Sequence, residues 1–350
     1  MAPDILRICK AGCDGQASDL HITALSAPLM RVHGELLRMD MAPLSPKETD
    51  DLLLSICPAD RVAKFRAAGQ VDFSYSVPGT GRFRVNAFRQ RGSTALAIRI
   101  LRPDIPRLEE LGLAAGVGGL AEKKDGLVLV TGATGSGKSS TLAAIVDRIN
   151  STTAGHVITL EDPIEYLHRH CKCIVNQREV GSDTPTFADG IRAALREDPD
   201  VIVIGELRDL ETAATALSAA ETGHLVLATL HAPTVTQAVS RLVDLFPLDY
   251  QQQARLQVSD VLEGMVAQQL LPRAGGLGRV AACEVLLATT VAKNAIRIGD
   301  MQRLSEIIRA GKDVGMVTME QSLQDLYSNG LIGEREFRAH SGSGTGILSR

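Results

Sequence analysis

Leu127-Val128-Leu129-Val130-Thr131-Gly132-Ala133-Thr134-Gly135-Ser136-Gly137-Lys138-Ser139-Ser140 is the stretch that decides how this chain folds. Leu127 to Val130 form a continuous apolar run and read as a buried strand. The run leads into G-x-x-x-x-G-K-[ST], met at Gly132, Gly137, Lys138 and Ser139. Beyond it, Leu142, Ile145, Val146 and Ile149 share one face of a helix. A glycine-rich turn between strand and helix lets backbone N–H groups converge on phosphate oxygens at the positive end of the helix. The spacing therefore predicts a nucleotide-binding loop lined by Gly132, Thr134, Gly135, Ser136, Gly137 and Ser140. In it Lys138 reaches the β- and γ-phosphates and Ser139 holds Mg2+ through its hydroxyl.

Downstream, strand and helix signals alternate, which predicts a parallel α/β sheet with crossover helices. Besides 127–130, the apolar runs Val157–Leu160, Val201–Ile204 and Leu225–Leu230 read as strands covered on both faces. Each ends in polar residues: Glu161-Asp162-Pro163-Ile164-Glu165, then Gly205-Glu206-Leu207-Arg208-Asp209, then His231. Ligands of open α/β sheets bind beyond the carboxyl ends of the strands, so these clusters should converge with the loop on one site. Phosphoryl transfer needs a carboxylate near Mg2+ and a group that activates or positions water. Glu206 suits the first task, and Glu165 the second, with Glu161 competing for it. His231 is read as a γ-phosphate sensor, and His224 as making hydrogen bonds between elements while also being placed among the cofactor-binding positions. Helices are expected over 187–196, 210–221 and 234–246, and helical, amphipathic chain beyond about 290.

Upstream, residues 1–102 mix both signals and predict a small α+β domain. Ser18–Ile22 and Leu29–Glu35 read as strands, and Lys47–Leu54 as a helix after Ser45-Pro46. Val71–Val77, the turn Pro78-Gly79-Thr80-Gly81 and Arg82–Phe88 form a hairpin signature. Arg82, Arg84, Arg89, Arg91 and Arg99 cluster there, either as a solvated face or as donors to a phosphate. Prolines 103 and 106 set a linker at 103–116, with Gly116-Val117-Gly118-Gly119 extending the flexible region. Residues 117–290 are then expected to form the nucleotide-binding domain, 291–340 a helical region and 341–350 a disordered tail.

A chain of 350 residues, 45% of them hydrophobic, has the core for about two domains. With 37 basic and 41 acidic residues, no global field recruits nucleic acid, and 3% aromatics oppose a base-stacking surface. No apolar run approaches the roughly 18–20 residues of a membrane span. A cytoplasmic protein is expected, its six scattered cysteines reduced.

Together these motifs resemble those of the secretion and pilus ATPase superfamily, most closely the PilT-type pilus retraction ATPases. Gly132–Ser140 matches Walker A, Glu161–Tyr166 the Asp box, Gly205–Asp209 Walker B, and Thr222-Gly223-His224 through His231 the His box. Ser18–His21, Arg82–Phe88, Val175–Glu179 and Leu195–Asp200 also match. The resemblance spans about residues 15–335. It implies a PAS-like N-terminal domain, a RecA-like ATPase domain and a homohexamer peripheral to the inner membrane at the pilus base. ATP-driven domain rotation would act there on an inner-membrane platform protein. By the same resemblance nucleotide lies between the domains, Arg84 and Arg99 contact phosphate, and Glu165 and Glu206 are catalytic. The family's A-I-R-N-L-I-R-E segment corresponds to Val291-Ala292-Lys293-Asn294-Ala295-Ile296-Arg297-Ile298. That departure makes the chain also resemble PilU, an accessory relative working with a PilT-like paralogue. Assembly and secretion ATPases are the further alternative; they are longer and carry a tetracysteine zinc insertion that this sequence lacks.

Overall fold

The computed structural model describes residues 4–32, 34–77, 79–101, 104–276 and 278–341. The chain divides into two compact units, one of residues up to Asp104 together with Pro163–Leu167, the other of Ile105–Asp162 and His168 onward.

The first unit contains α1 (Ile5–Asp14), β1 (Asp19–Ile22), β2 (Leu29–Val32), β3 (Glu35–Arg38), α2 (Pro46–Ile56), α3 (Ala59–Ala68), β4 (Gln70–Val77), β5 (Gly81–Gln90) and β6 (Ser93–Leu101). Among the described residues its strands form an antiparallel sheet in the order β3-β2-β1-β6-β5-β4. Alternation decides which face is buried: Val71, Phe73 and Val77 of β4 and Phe83, Val85 and Ala87 of β5 point into the core. The expected hairpin is present, Val77 facing Gly81, with Pro78 of its turn outside the described residues. The start of α2 is fixed by a capping box. Ser45 accepts from the Glu48 N–H, Glu48 accepts from the Ser45 N–H, and Pro46 takes a position that needs no donor.

The second unit begins with α4 (Gly116–Leu120), β7 (Gly126–Thr131), α5 (Lys138–Thr152), β8 (Gly155–Glu161) and β9 (Cys173–Glu179). It continues through α6 (Phe187–Ala194), β10 (Val201–Ile204), α7 (Leu210–Glu221), β11 (Leu225–Leu230), α8 (Val235–Asp244), α9 (Leu248–Val261), β12 (Leu262–Pro272) and β13 (Arg279–Leu287). The helices α10 (Thr290–Ile298), α11 (Met301–Ala310), α12 (Met319–Ser328) and α13 (Glu334–His340) follow. Its strands lie in the order β13-β12-β7-β11-β10-β8-β9, parallel except for the antiparallel β13.

Strict alternation divides the apolar runs between two cores. Leu127, Leu129, Ile158, Leu160, Ile202 and Ile204 face one, while Val128, Val130, Val157, Val201 and Val203 face the other. Helices α6 to α9 cover the first face and α5 the second. Gly116-Val117-Gly118-Gly119, expected to be flexible, is instead helical. The glycines cost about 1 kcal/mol each in helix, but the turn they form buries Val117 and Leu120 in the second core. Leu108, within the expected linker, is buried there as well. Strands β9, β12 and β13 and helix α9 were not anticipated. Of the expected tail only Ser341 falls within the described residues, where its N–H closes α13 on the Phe337 carbonyl.

Glu284 on β13 is a half-buried carboxylate that accepts from the first N–H of α8, at Val235 (2.7 Å), and from that of α12, at Met319. Burial raises its pKa, and the two backbone donors oppose the rise. A raised carboxylate pKa means the folded state holds the proton more tightly. Its contribution is therefore fully present below the ordinary carboxylate range and is lost as pH rises through the folded value. Glu284→Gln keeps an acceptor for Val235 and removes the titration. Thermal melts across the acidic range should show the parent losing stability relative to this variant as pH rises; parallel pH profiles would refute the assignment.

Candidate active site

The loop after β7 is held by its neighbours on both sides. Thr131 lies opposite Leu230 of β11 and Ala267 of β12. The chain then turns through Gly132 and Gly137, both at positive φ, and α5 begins at Lys138. A Cβ on Gly132 would lie 2.3 Å from the Gln268 carbonyl oxygen and 2.4 Å from Ser136 Oγ, so the sequence requires glycine there. Lys138 is buried and folds back over the loop, its Nζ donating to the carbonyls of Gly132 (3.0 Å) and Ala133 (2.9 Å). Thr134, Gly135 and Ser139 are exposed, Ser140 half-buried and Ser136 buried. Among the described residues, Thr131 Oγ1 and Ser136 Oγ are buried hydroxyls with no hydrogen-bond partner. Open glycine backbone, an amine within the loop and an exposed hydroxyl on the first turn of α5 fit a phosphate with its cation.

Register carries the remaining polar groups to the same edge. Because β8, β10, β11 and β7 are parallel neighbours, Glu161, Glu206, His231 and the loop all emerge at their carboxyl ends. The turn after β10 is pinned by the Leu207 N–H to the Thr229 carbonyl and by the Thr229 hydroxyl to the Gly205 carbonyl. It presents Glu206 with both oxygens engaged, Oε2 to Arg208 Nε (2.8 Å) and Oε1 to His231 Nε2 (3.2 Å). Arg208 extends toward Asp162 (3.9 Å), and the hydrogen bond it donates to Glu206 is the main reason its pKa is raised. Glu161 accepts from Thr159 Oγ1 (2.6 Å) and Gln177 Nε2 (3.1 Å).

His224 requires a correction. It precedes β11, and its carbonyl accepts from Gly126 at the start of β7. It therefore lies about 20 Å from the loop of its own chain, at the far ends of strands six residues long. Its Nδ1 faces the Ala219 carbonyl (3.0 Å) and Thr222 Oγ1 (3.2 Å) at the end of α7. Cofactor binding therefore does not hold for this chain's own loop, while the expected inter-element hydrogen bonding is present and ties a helix end to the sheet.

Arg84, Arg99 and Glu165 belong to the first unit. Arg84 and Arg99 are exposed and directly opposite on β5 and β6, a like-charge pairing that a sheet disfavours. Asp19, opposite Arg99 on β1, offsets it at 3.2 Å. The other arginines separate by role. Arg89 lies over the Phe65 ring, 5.6 Å from its centroid, and Arg82 donates to Ser76 (3.1 Å) and to the Ile164 carbonyl (3.2 Å), beside the exposed Glu165.

Two residues at the site went unread in the sequence. Arg208 was quoted with its motif but given no role. Gln268 was missed altogether; its only signal is that it is one of two adjacent amides, with Gln269, between the apolar runs Met265-Val266-Ala267 and Leu270-Leu271.

The family described as "Type II/IV secretion system protein" matches residues 15–322. The type IV pilus retraction ATPase PilT of Pseudomonas aeruginosa is 42% identical over 335 residues, 96% of this chain and 97% of that protein. The type IV pilus ATPase PilU of the same organism is 44% identical over 326 residues, 93% of this chain and 85% of that protein. A crystal structure of the pilus retraction motor PilT with bound ADP superposes with a TM-score of 0.91 at 48% identity, covering 98% of each chain. That match also bears out the mixed α/β fold, with an N-terminal domain before a P-loop ATPase domain. The chain belongs to the type II/IV secretion system protein family, as a PilT-type ATPase.

Proposed function

We propose that this chain is an ATP-hydrolysing motor subunit that drives retraction of type IV pili. The observation that carries the reading is the shared edge of β7, β11, β10 and β8, where the Lys138 loop, His231, Glu206 and Glu161 emerge together. Similarity to PilT along nearly the whole chain supports the pilus assignment.

In this mechanism ATP enters with its phosphates on the loop N–H groups. The Lys138 amine exchanges the Gly132 and Ala133 carbonyls for β- and γ-phosphate oxygens. Ser139 and Glu206 would hold Mg2+, which supplies charge neutralisation between the phosphates when bound. Glu165 aligns the attacking water, with Glu161 as the alternative, His231 reads the γ-phosphate, and Arg84 and Arg99 contribute positive charge to the transferring group. Further parts of the proposal are a homohexamer, domain rotation, an inner-membrane platform protein as partner, and a place at the cytoplasmic face of that membrane. No helix among the described residues is long and apolar enough to cross a membrane.

A second reading, an accessory PilU-like subunit, is favoured by the identity to PilU and by α10. There the family's terminal glutamate is replaced by Ile298, 59% exposed, while Lys293 still reaches Glu263 (3.1 Å). Surface pili counted in a strain lacking the chain, with and without a Glu206→Ala allele, separate the readings. Excess pili without twitching in both strains supports the retraction motor. Bald cells contradict it in favour of assembly, and rescue by Glu206→Ala contradicts it in favour of the accessory role.

A further inference from the structure

We infer that Gln268 is a positioning residue for the nucleotide loop, acting by setting the direction in which the Gly137 N–H points. The inference rests on the loop being a nucleotide site.

Gln268 lies on β12, is 3% exposed, and spends its whole amide on the loop and its helix. Nε2 donates to the Ser136 carbonyl at 2.7 Å, and Oε1 accepts from the Thr141 hydroxyl of α5 at 2.9 Å. The Ser136 carbonyl can only accept, so the amide nitrogen must face it; the flipped amide would set two oxygens against each other. Thr141 holds the other end in that orientation. The Ser136–Gly137 peptide is planar, with its N–H directed opposite its C=O. Drawing the Ser136 carbonyl onto Gln268 therefore turns the Gly137 N–H away from β12, to the side on which the loop's N–H groups meet an anion.

The loop packs directly on this residue. A Cβ on Gly132 would meet the Gln268 backbone oxygen, and one on Gly137 would lie 2.9 Å from Gln268 Nε2. The buried amide thus has a specific task, since an apolar side chain would fill the same buried space at no desolvation cost.

The test measures ADP affinity and melting temperature on the full-length chain carrying Gln268→Met, Gln268→Glu, Thr141→Val, or Gln268→Met with Thr141→Val. Gln268→Met matches the length and removes both bonds, and should weaken ADP about tenfold. Gln268→Glu keeps the acceptor for Thr141 but puts an oxygen against the Ser136 carbonyl, and should weaken ADP at least as much. Thr141→Val should cost about threefold, and the double variant no more than Gln268→Met alone, because Thr141 acts through Gln268. The melting temperature should not track these losses. If Gln268→Met does not fold, Gln268→Glu and Thr141→Val decide. ADP affinity within about twofold of the parent in the folded Gln268 variants, or in Thr141→Val and Gln268→Glu if Gln268→Met is lost, overturns the inference while leaving the nucleotide site intact. A parent that binds no ADP overturns both.

Discussion

Glu206→Gln is expected to lower ATP turnover by about 100-fold or more while leaving ATP affinity within about threefold of the parent. Glu206 is the one carboxylate that the Gly205 turn delivers to the shared strand edge in contact with both an arginine and the histidine that follows β11. Its side chain is only 17% exposed, and glutamine is nearly isosteric, so Arg208 and His231 keep a partner and the fold is not at issue. What glutamine removes is the charge that orients a cation beside the transferring phosphate, which acts at the chemical step, so the loss falls on kcat rather than on binding. Single-turnover phosphate release with parallel binding measurements would check it. Turnover within about threefold of the parent would exclude Glu206 from the chemistry and leave Glu165 or Glu161.

The second large effect is on binding. Lys138→Ala should weaken ATP and ADP by about 10- to 100-fold, as removal of a charge-assisted hydrogen bond costs about 1.5–3 kcal/mol. In the structure the amine rests on two carbonyls of its own loop, so it is already inside the site and needs only to exchange partners. The variant leaves the Gly132 carbonyl unpaired at a buried position and that of Ala133 on an exposed residue, so its melting temperature without nucleotide should fall somewhat below the parent's. The nucleotide-dependent rise in melting temperature should shrink with affinity. An unchanged shift with ADP would contradict the assignment.

Strands β7, β8, β10 and β11 were legible in the sequence because a strand buried on both faces must be a continuous apolar run. Strand β9 was not legible, since Asn176, Gln177, Arg178 and Glu179 serve an edge strand with one wet side. Helix α9 hid for a similar reason: it buries only Ala254, Val258, Ser259 and Val261. The loop could be read from spacing because glycine and lysine recur at fixed offsets. Gln268 could not, because its role arises from the pairing of β12 with β7, a contact between distant parts of the chain that carries no local signature. Of the two readings of His224, inter-element hydrogen bonding agrees with the structure, whereas cofactor binding by its own chain's loop does not, because a residue preceding a strand lies at its amino end and the site lies at the carboxyl ends.

Time-lapse imaging of labelled pili in cells lacking the chain, complemented with the parent or with Glu206→Gln, tests the motor assignment most directly. The expected result is that extended pili fail to shorten in the null and in Glu206→Gln cells, and that the parent allele restores shortening. Shortening at the normal rate in the null, or equally well with Glu206→Gln as with the parent, would contradict it.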